Sequence, residues 1–347
     1  MNDALALPRA PDVEREQARA QFLARAGFAH APLQALPADA SRRRYFRLTG
    51  AGLLLMDSPP DSEPVGPYVQ VARYLRQSGL SAPTLVQVDE EAGLALIEDF
   101  GQDTYTRLLA AGHPDEPLYR LAVDALLALH RAPAVSGDQL APYDAARLSD
   151  EYGLFIDWYA PLLIGKEAAQ ALREPYMQLF AHALQDVALR RETLVLRDFH
   201  VDNLMLLNGR SGVAACGLLD FQDALSGSCA YDLMSLLEDA RRDVPEDLRV
   251  ALLSHYLVSR TEIDAMRFLS DYRLLAAQRH AKVLGIFVRL AVRDGKPHYL
   301  AHLPRVLGLF ARALDSEALQ PLRGLLDQRM PGWRAGLPSS ALGRTPY

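Results

Sequence analysis

Apolar positions in this chain follow a helical period and a strand period in alternating stretches. Over residues 11–27, Val13, Ala18, Phe22, Leu23 and Ala26 recur among charged residues, which predicts an amphipathic helix stopped by Gly27. The period changes after Leu33. An apolar run at 33–36 ends at Pro37, a polar bend follows at 38–42, and two strand-like runs, 45–48 and 53–56, flank Gly50 and Gly52 as a hairpin. Tyr68, Val71, Ala72 and Leu75 return to helical spacing until Gly79. Runs at 84–88 and 94–97 then flank an acidic turn, with Glu98, Asp99, Phe100 and Gly101 directly after. The first hundred residues therefore predict a small antiparallel sheet with helix packed on it.

Beyond Gly101 the pattern is helical: 104–111, 116–131, 148–159, 166–186, 232–242, 246–258, 262–292, 299–313 and 316–330. Strand-like runs here lie only around Asp198 and Asp220. The fold class expected is α+β in two parts. Residues 1–100 form a small antiparallel-sheet lobe, 101–347 a large, mainly helical lobe, and a site would lie in the cleft between them. No internal repeat or low-complexity block interrupts this, and the tail from Pro331 reads as loosely ordered.

Composition narrows the class. At 347 residues with 50% hydrophobic and 23% charged, the chain can bury a sizeable core. A formal net charge of −6 leaves no basic footprint beyond Arg42, Arg43 and Arg44, so nucleic acid is not an expected partner. Cys216 and Cys229 match no disulfide framework and no zinc spacing. No long uncharged apolar run predicts a membrane span, and residues 1–9 do not predict a signal segment. A soluble, cytoplasmic, monomeric protein is expected.

The candidate chemistry gathers in residues 193–224. Leu194, Val195 and Leu196 lead to Asp198; Asn203 precedes the run 204–207; a polar turn leads back through 216–219 to Asp220. Acid and amide groups are thus delivered from the ends of buried segments. Phosphoryl transfer needs such a set: one carboxylate to orient and deprotonate a hydroxyl, and an amide and a second carboxylate to hold Mg2+. Asp198 precedes Asn203 by five positions, as in the catalytic loop of protein kinases, and an Asp-Phe pair follows at Asp220 and Phe221, where those enzymes carry Asp-Phe-Gly. On the residues alone the reading is a small-molecule kinase.

Three stretches carry a more particular likeness: Asp-Ala-Ser-Arg-Arg-Arg-Tyr-Phe-Arg from Asp39, Leu-Met-Asp-Ser-Pro-Pro from Leu55, and the Asp198 and Asp220 segments with Tyr231-Asp-Leu-Met after them. In these the chain resembles the aminoglycoside phosphotransferase and choline kinase superfamily, a branch of the protein-kinase-like fold. The likeness is greatest to the bacterial kinases of cell-wall amino sugars. The resemblance implies transfer of the ATP γ-phosphoryl group to the anomeric hydroxyl of N-acetylmuramate or N-acetylglucosamine, giving an α-1-phosphate for peptidoglycan recycling. It implies ATP and Mg2+ as cofactors and a small-molecule amino sugar as partner.

Under this reading Asp198 is the catalytic base, and Asn203 and Asp220 are the metal ligands. Asp223 is a weaker candidate for substrate, and Glu98 and Phe100 belong to a hinge that meets adenine through the main chain. Asp232 is expected to be structural, tying down the catalytic loop. The chain departs from the kinase pattern in the sheet: no glycine-rich loop is present, and Met56 stands where a phosphate-binding lysine is expected. Arg43 and Arg44 are the nearest cations for the nucleotide phosphates. Tyr152, Phe155, Trp158 and Tyr159 read as a core stripe before a sugar-stacking face, and Arg279, His280 and Arg289 are undifferentiated candidates for a substrate carboxylate. An aminoglycoside or other hydroxyl kinase, or a non-catalytic nucleotide-binding regulator, are the competing readings.

Overall fold

A computed structural model describes residues 10–37, 42–132 and 140–338. It separates into two compact units. The first runs up to His113 and takes in Asn203–Asp223; the second comprises Pro114–Asp202 and the chain from Ala224 onward. The sheet-bearing unit thus extends past residue 100 and claims a later segment that sequence analysis placed with the helices.

In the first unit, helix α1 (Ala10–Arg25) covers a sheet of strands β1 (Leu33–Ala35), β2 (Arg44–Leu48), β3 (Leu53–Asp57), β4 (Leu85–Asp89) and β5 (Leu94–Glu98), in the order β1-β2-β3-β5-β4. Every pairing is antiparallel. The register sets Phe46 against Leu55 and Leu55 against Leu96, so alternate side chains line one face. Phe22 and Leu23 of α1 close over Leu48, Leu55, Leu94 and Leu96 in one buried cluster. Each such side chain contributes about 1.5–3 kcal/mol by leaving water. Arg15 and Arg19 bind the carboxylate of Asp57, which is buried. Helices α2 (Gly66–Gln77) and α3 (Tyr105–Ala110) complete this part. The bend expected at 38–42 lies largely outside the described residues.

The second unit is helical: α4 (Asp115–Arg131), α5 (Ala145–Leu154), α6 (Ala160–Ile164) and α7 (Lys166–Leu184) precede the segment that carries Asp198. The short strands β6 (Thr193–Val195), β7 (Leu204–Leu206), β8 (Cys216–Leu218) and β9 (Leu225–Gly227) form two pairs, β6 with β9 and β7 with β8. The first pair belongs to this unit and the second to the sheet-bearing one. Then come α8 (Ala230–Leu237), α9 (Glu246–Ser259), α10 (Ala265–Val292), α11 (Leu303–Ala313) and α12 (Gln320–Arg329).

The long α10 is capped by the Asp264 side chain, which accepts from the Met266 and Arg267 amides. It presses on the end of α5 at Gly285, where an added Cβ would stand 2.3 Å from the Leu154 carbonyl. The helix expected over 148–159 begins earlier and passes into a π-helical turn at Phe155–Tyr159. That turn keeps Tyr152, Phe155 and Tyr159 inward. Phe155 stacks on Tyr159 and Tyr176 at 5.0 and 5.7 Å. Tyr152, Phe155 and Tyr159 of the aromatic stripe are core, and Trp158 is half-buried. No helix among the described residues is long and apolar enough to cross a membrane.

Candidate active site

The β7–β8 hairpin builds the metal-competent end of the first unit. Leu204 pairs with Leu218, and the Leu219 amide donates to the Asn203 carbonyl at 3.0 Å, so the pairing continues one step past the strands. Asn203 and Asp220 are thereby brought to the same end, with the Asn203 amide 3.4 Å from the Asp220 carboxylate. Gln222 donates to the other Asp220 oxygen at 2.8 Å. Asp220 sits at φ 57°, in the left-handed region that non-glycine residues seldom adopt. Such strain persists only where the surroundings enforce it. Here the enforcing contact is Phe221, fully buried and stacked on Tyr68 of α2 at 4.9 Å. Gly217 lets the hairpin approach the hinge: an added Cβ would lie 3.0 Å from both Met205 and Phe100.

The predicted nucleotide-facing residues belong to this same unit, as does Asp223, which is exposed. Arg43 is buried, bonds Ser58 at 3.2 Å and lies 3.9 Å from Glu63. Burial raises the Tyr45 phenol above its ordinary value, with Arg43 opposing and Asp220 adding to the rise. Arg43 and Asp220 therefore both act on Tyr45. Arg44 opens β2 and is exposed. Met56 is fully buried beside Tyr45 in the β2–β3 register, so the lysine position is an apolar one.

At the hinge, the Glu98 side chain is a fastener. It accepts from the Thr84 amide and hydroxyl at 3.1 and 2.7 Å and pairs with Arg210. Burial pushes its carboxyl up, but the Thr84 and Arg210 bonds outweigh this and hold it below the usual range. The Glu98 and Asp99 amides are spent on Thr84 and Gly52. Phe100 lies under the Arg210 guanidinium at 5.2 Å. A cavity of about 290 Å³ opens here, lined by Glu98, Phe100, Asp103, Asn208 and Arg210. Arg47, which sequence reasoning missed, grips Asp99 at 2.5 and 3.1 Å and the Gly101 carbonyl at 3.2 Å.

Asp198 belongs to the second unit. Strand β6 delivers it, and Arg197 at φ 70° turns the chain sharply just before it. Asp232 holds that turn: its two carboxylate oxygens accept from the Leu196 and Arg197 amides at 2.6 and 2.9 Å. Burial pushes the Asp232 carboxyl up to about 7 despite those bonds. Arg279 of α10 donates to the Arg197 carbonyl at 2.9 Å and the Tyr231 hydroxyl at 3.1 Å, and stands 4.0 Å from Asp198. Of the three basic residues considered for a substrate anion, it is the one placed beside Asp198. His280 instead bonds Glu238 at 2.9 Å.

Behind this turn lies a charge cluster that sequence reasoning did not find. Glu151 of α5 accepts from Arg197 at 2.6 Å, Lys282 at 2.8 Å, Gln278 at 2.8 Å and the Tyr143 hydroxyl. Burial opposes its charge, yet Lys282 and Arg197 bring its carboxyl down to about 2. The cluster fixes Arg197 and supplies positive potential. Asp198 shows the result: burial raises its carboxyl, but Lys282, Arg279, His200 and Arg197 together hold it below the ordinary value. Its side chain keeps 35% exposure, so an ionised oxygen stays accessible. His200 is buried, and chiefly that burial lowers its imidazole.

Among the described residues no three His, Cys, Asp or Glu side chains form a metal-holding group by themselves. One amide and one carboxylate suit Mg2+, which keeps waters and takes its remaining oxygens from phosphates. The Asn203 and Asp220 pair fits that ion.

The chain belongs to the phosphotransferase enzyme family, whose model matches residues 32–269. It is 36% identical to the N-acetylmuramate/N-acetylglucosamine kinase of Caulobacter vibrioides over 92% of this chain and 97% of that protein. It is 38% identical to the protein of the same name in Pseudomonas aeruginosa, over 79% and 82% of the two chains. Among solved structures it is similar to the ADP-bound aminoglycoside phosphotransferase APH(2'')-Ib, with TM-score 0.58 and 15% identity, covering 86% of this chain and 98% of that one. A choline/ethanolamine kinase family protein from Mesorhizobium loti gives TM-score 0.57 at 16% identity over 90% and 99%. The fold is protein-kinase-like, and the chain is a phosphotransferase.

Proposed function

We propose that this chain transfers the γ-phosphoryl group of ATP to the anomeric hydroxyl of N-acetylmuramate and N-acetylglucosamine, giving the sugar α-1-phosphate used in peptidoglycan recycling. The observation that carries the chemistry is the state of Asp198: an accessible carboxylate kept ionised by Arg279, Lys282 and Arg197 on a turn anchored by Asp232. Such a group accepts the proton of a hydroxyl as its oxygen attacks phosphorus. Four relatives at 33–38% identity bear the amino-sugar kinase name, which supports the acceptor.

In this reading Asn203 and Asp220 hold Mg2+, which would neutralise charge on the nucleotide phosphates. Arg43 and Arg44 serve those phosphates in place of the missing lysine. The hinge offers its main chain to adenine at Phe100, because the Glu98 and Asp99 amides are already engaged. Arg279, 4.0 Å from the proton-accepting group, orients it from the Arg197 side. Asp223, exposed near Asp220 in sequence, serves the acceptor. The protein works as a cytoplasmic monomer.

The test is direct. Mg-ATP with N-acetylmuramate, N-acetylglucosamine or kanamycin, followed by phosphorus NMR, should give an anomeric phosphate with the two amino sugars only. Asp198→Asn should reduce turnover by at least about 10³-fold at unchanged Tm. A kanamycin phosphate with no sugar phosphate would move the acceptor to the aminoglycosides.

A further inference from the structure

The second unit holds a cavity of about 490 Å³ that the phosphotransfer reading leaves unused. It lies between α9, α10 and the turn after α11, and its size is that of a small-molecule pocket. Arg249, Arg273 and Arg312 line it. Arg249 is paired with Glu246 and lies 3.8 Å from Glu238. Arg273 and Arg312 are exposed along its wall and form no ion pair among the described residues.

Two hydroxyls face the same space. Tyr272, only 4% exposed, and Ser316 line the cavity; the Ser316 hydroxyl has no hydrogen-bond partner among the described residues, and the Tyr272 hydroxyl lies beside Glu238 and Arg249 without a well-aligned bond to either. A buried hydroxyl without a well-aligned partner is costly, so a pocket built around such groups is one that a ligand completes. Burial, and then the nearby Glu238 charge, hold the Tyr272 phenol well above its ordinary value, so it remains a donor. The carboxylates along the wall are mostly engaged elsewhere: Glu238 with His280 at 2.9 Å, and Asp315 with Arg323. Glu317 remains at the edge.

Two unpaired guanidiniums and two hydroxyl donors match a tetrahedral oxyanion, since each guanidinium offers a planar fork of N–H groups. A bare phosphate fills only part of such a volume, and an edge carboxylate accepts from hydroxyls while repelling a second anion. We propose that this cavity binds the phosphate ester of a small polyhydroxy compound. Its phosphate lies among Arg273, Arg312 and Tyr272, and its hydroxyls turn toward Glu317. This assignment is independent of which hydroxyl compound the enzyme phosphorylates.

Thermal-shift titrations of the full chain in EDTA, without magnesium, test it with glucose 6-phosphate, inorganic phosphate and glucose. The wild type should show saturable stabilisation by glucose 6-phosphate, at least ~10-fold tighter than by inorganic phosphate, and none by glucose. The Arg273→Glu/Arg312→Glu double variant should lose the response while keeping kinase turnover. Tyr272→Phe, which removes one donor and keeps the packing, should weaken binding by ~3–10-fold. No saturable shift in the wild type, or an undiminished shift in the double variant, would overturn the site. Equal affinity for phosphate and ester would overturn the polyhydroxy assignment. If the double variant does not fold, an unchanged affinity in Tyr272→Phe is the deciding negative result.

Discussion

Asp232 carries a charge that one buried aspartate must hold against desolvation, and the turn bearing Asp198 depends on it. Both its oxygens accept main-chain N–H bonds, and its carboxyl is pushed up to about 7 by burial. The sign follows from that value. Above it the carboxylate is ionised and grips both amides; as pH falls through about 7 a proton takes one oxygen and the grip loosens. Asp198 is held below the ordinary carboxylate range and His200 below the ordinary histidine range, so neither titrates there. Turnover should therefore fall on the acid side with a midpoint near 7, and Asp232→Asn should be slow at every pH with that limb absent. A kcat profile from pH 5 to 9 checks this, and an unchanged limb in the variant would assign it elsewhere. Glu151→Ala strands Arg197 and Lys282 without their shared partner, and a loss of about 3–5 kcal/mol in urea unfolding is expected. The placement of Asp198, Asn203, Asp220 and Asp232 at the ends of short strands and the start of a helix was legible in the sequence because chain spacing encodes it. Glu151, Lys282 and Arg47 were not, since each acts on groups far away in sequence and sits inside an otherwise ordinary helix or strand.

The two short strand pairs show how an element can be read correctly and still be misassigned. Apolar runs around Asp198 and Asp220 predicted strands, and strands are there. Strand β9, three residues containing a serine and a glycine, had no apolar signature, yet it is the partner of β6. The β7–β8 pair consequently goes with the sheet, separate from the strand that delivers Asp198. Helix existence in the later chain was legible from period alone. The π-turn at Phe155–Tyr159 was not, because one extra residue in a turn leaves the apolar spacing nearly unchanged. Glycines mark the closest element contacts. Gly285→Ala forces a methyl group into the Leu154 backbone, where nothing flexible can yield, so α10 must move from α5 at a cost of about 1–3 kcal/mol. Chemical denaturation should show this as a lower midpoint with an unchanged slope.

At the scale of the molecule, the proposed proton acceptor Asp198 belongs to one unit and the proposed metal pair Asn203 and Asp220 to the other. Ligand linkage makes this measurable, since whatever binds the folded state raises its stability. Mg-ATP should raise the Tm of Asp198→Asn as much as that of the wild type. Asp220→Asn and Asn203→Ala should keep the shift given by nucleotide alone and lose the increment added by magnesium. An Asp198→Asn protein blind to Mg-ATP would contradict the assignment of nucleotide binding to the sheet-bearing unit.

The sheet-bearing unit is also discontinuous along the chain, its later segment Asn203–Asp223 arriving after Pro114–Asp202 has been made. During synthesis from the N-terminus, residues up to His113 leave the ribosome with Tyr68 still lacking the Phe221 ring that stacks on it and Ser81 lacking its partner strand at Gly217. Its hydrophobic face must wait, exposed, while an entire run of helices is translated. Nascent chains stalled before Asp223 has emerged should be cut readily by protease within residues 66–81, and chains stalled after it should resist. The cell thus inherits a vulnerable interval in biosynthesis from the same hairpin that presents Asn203 and Asp220.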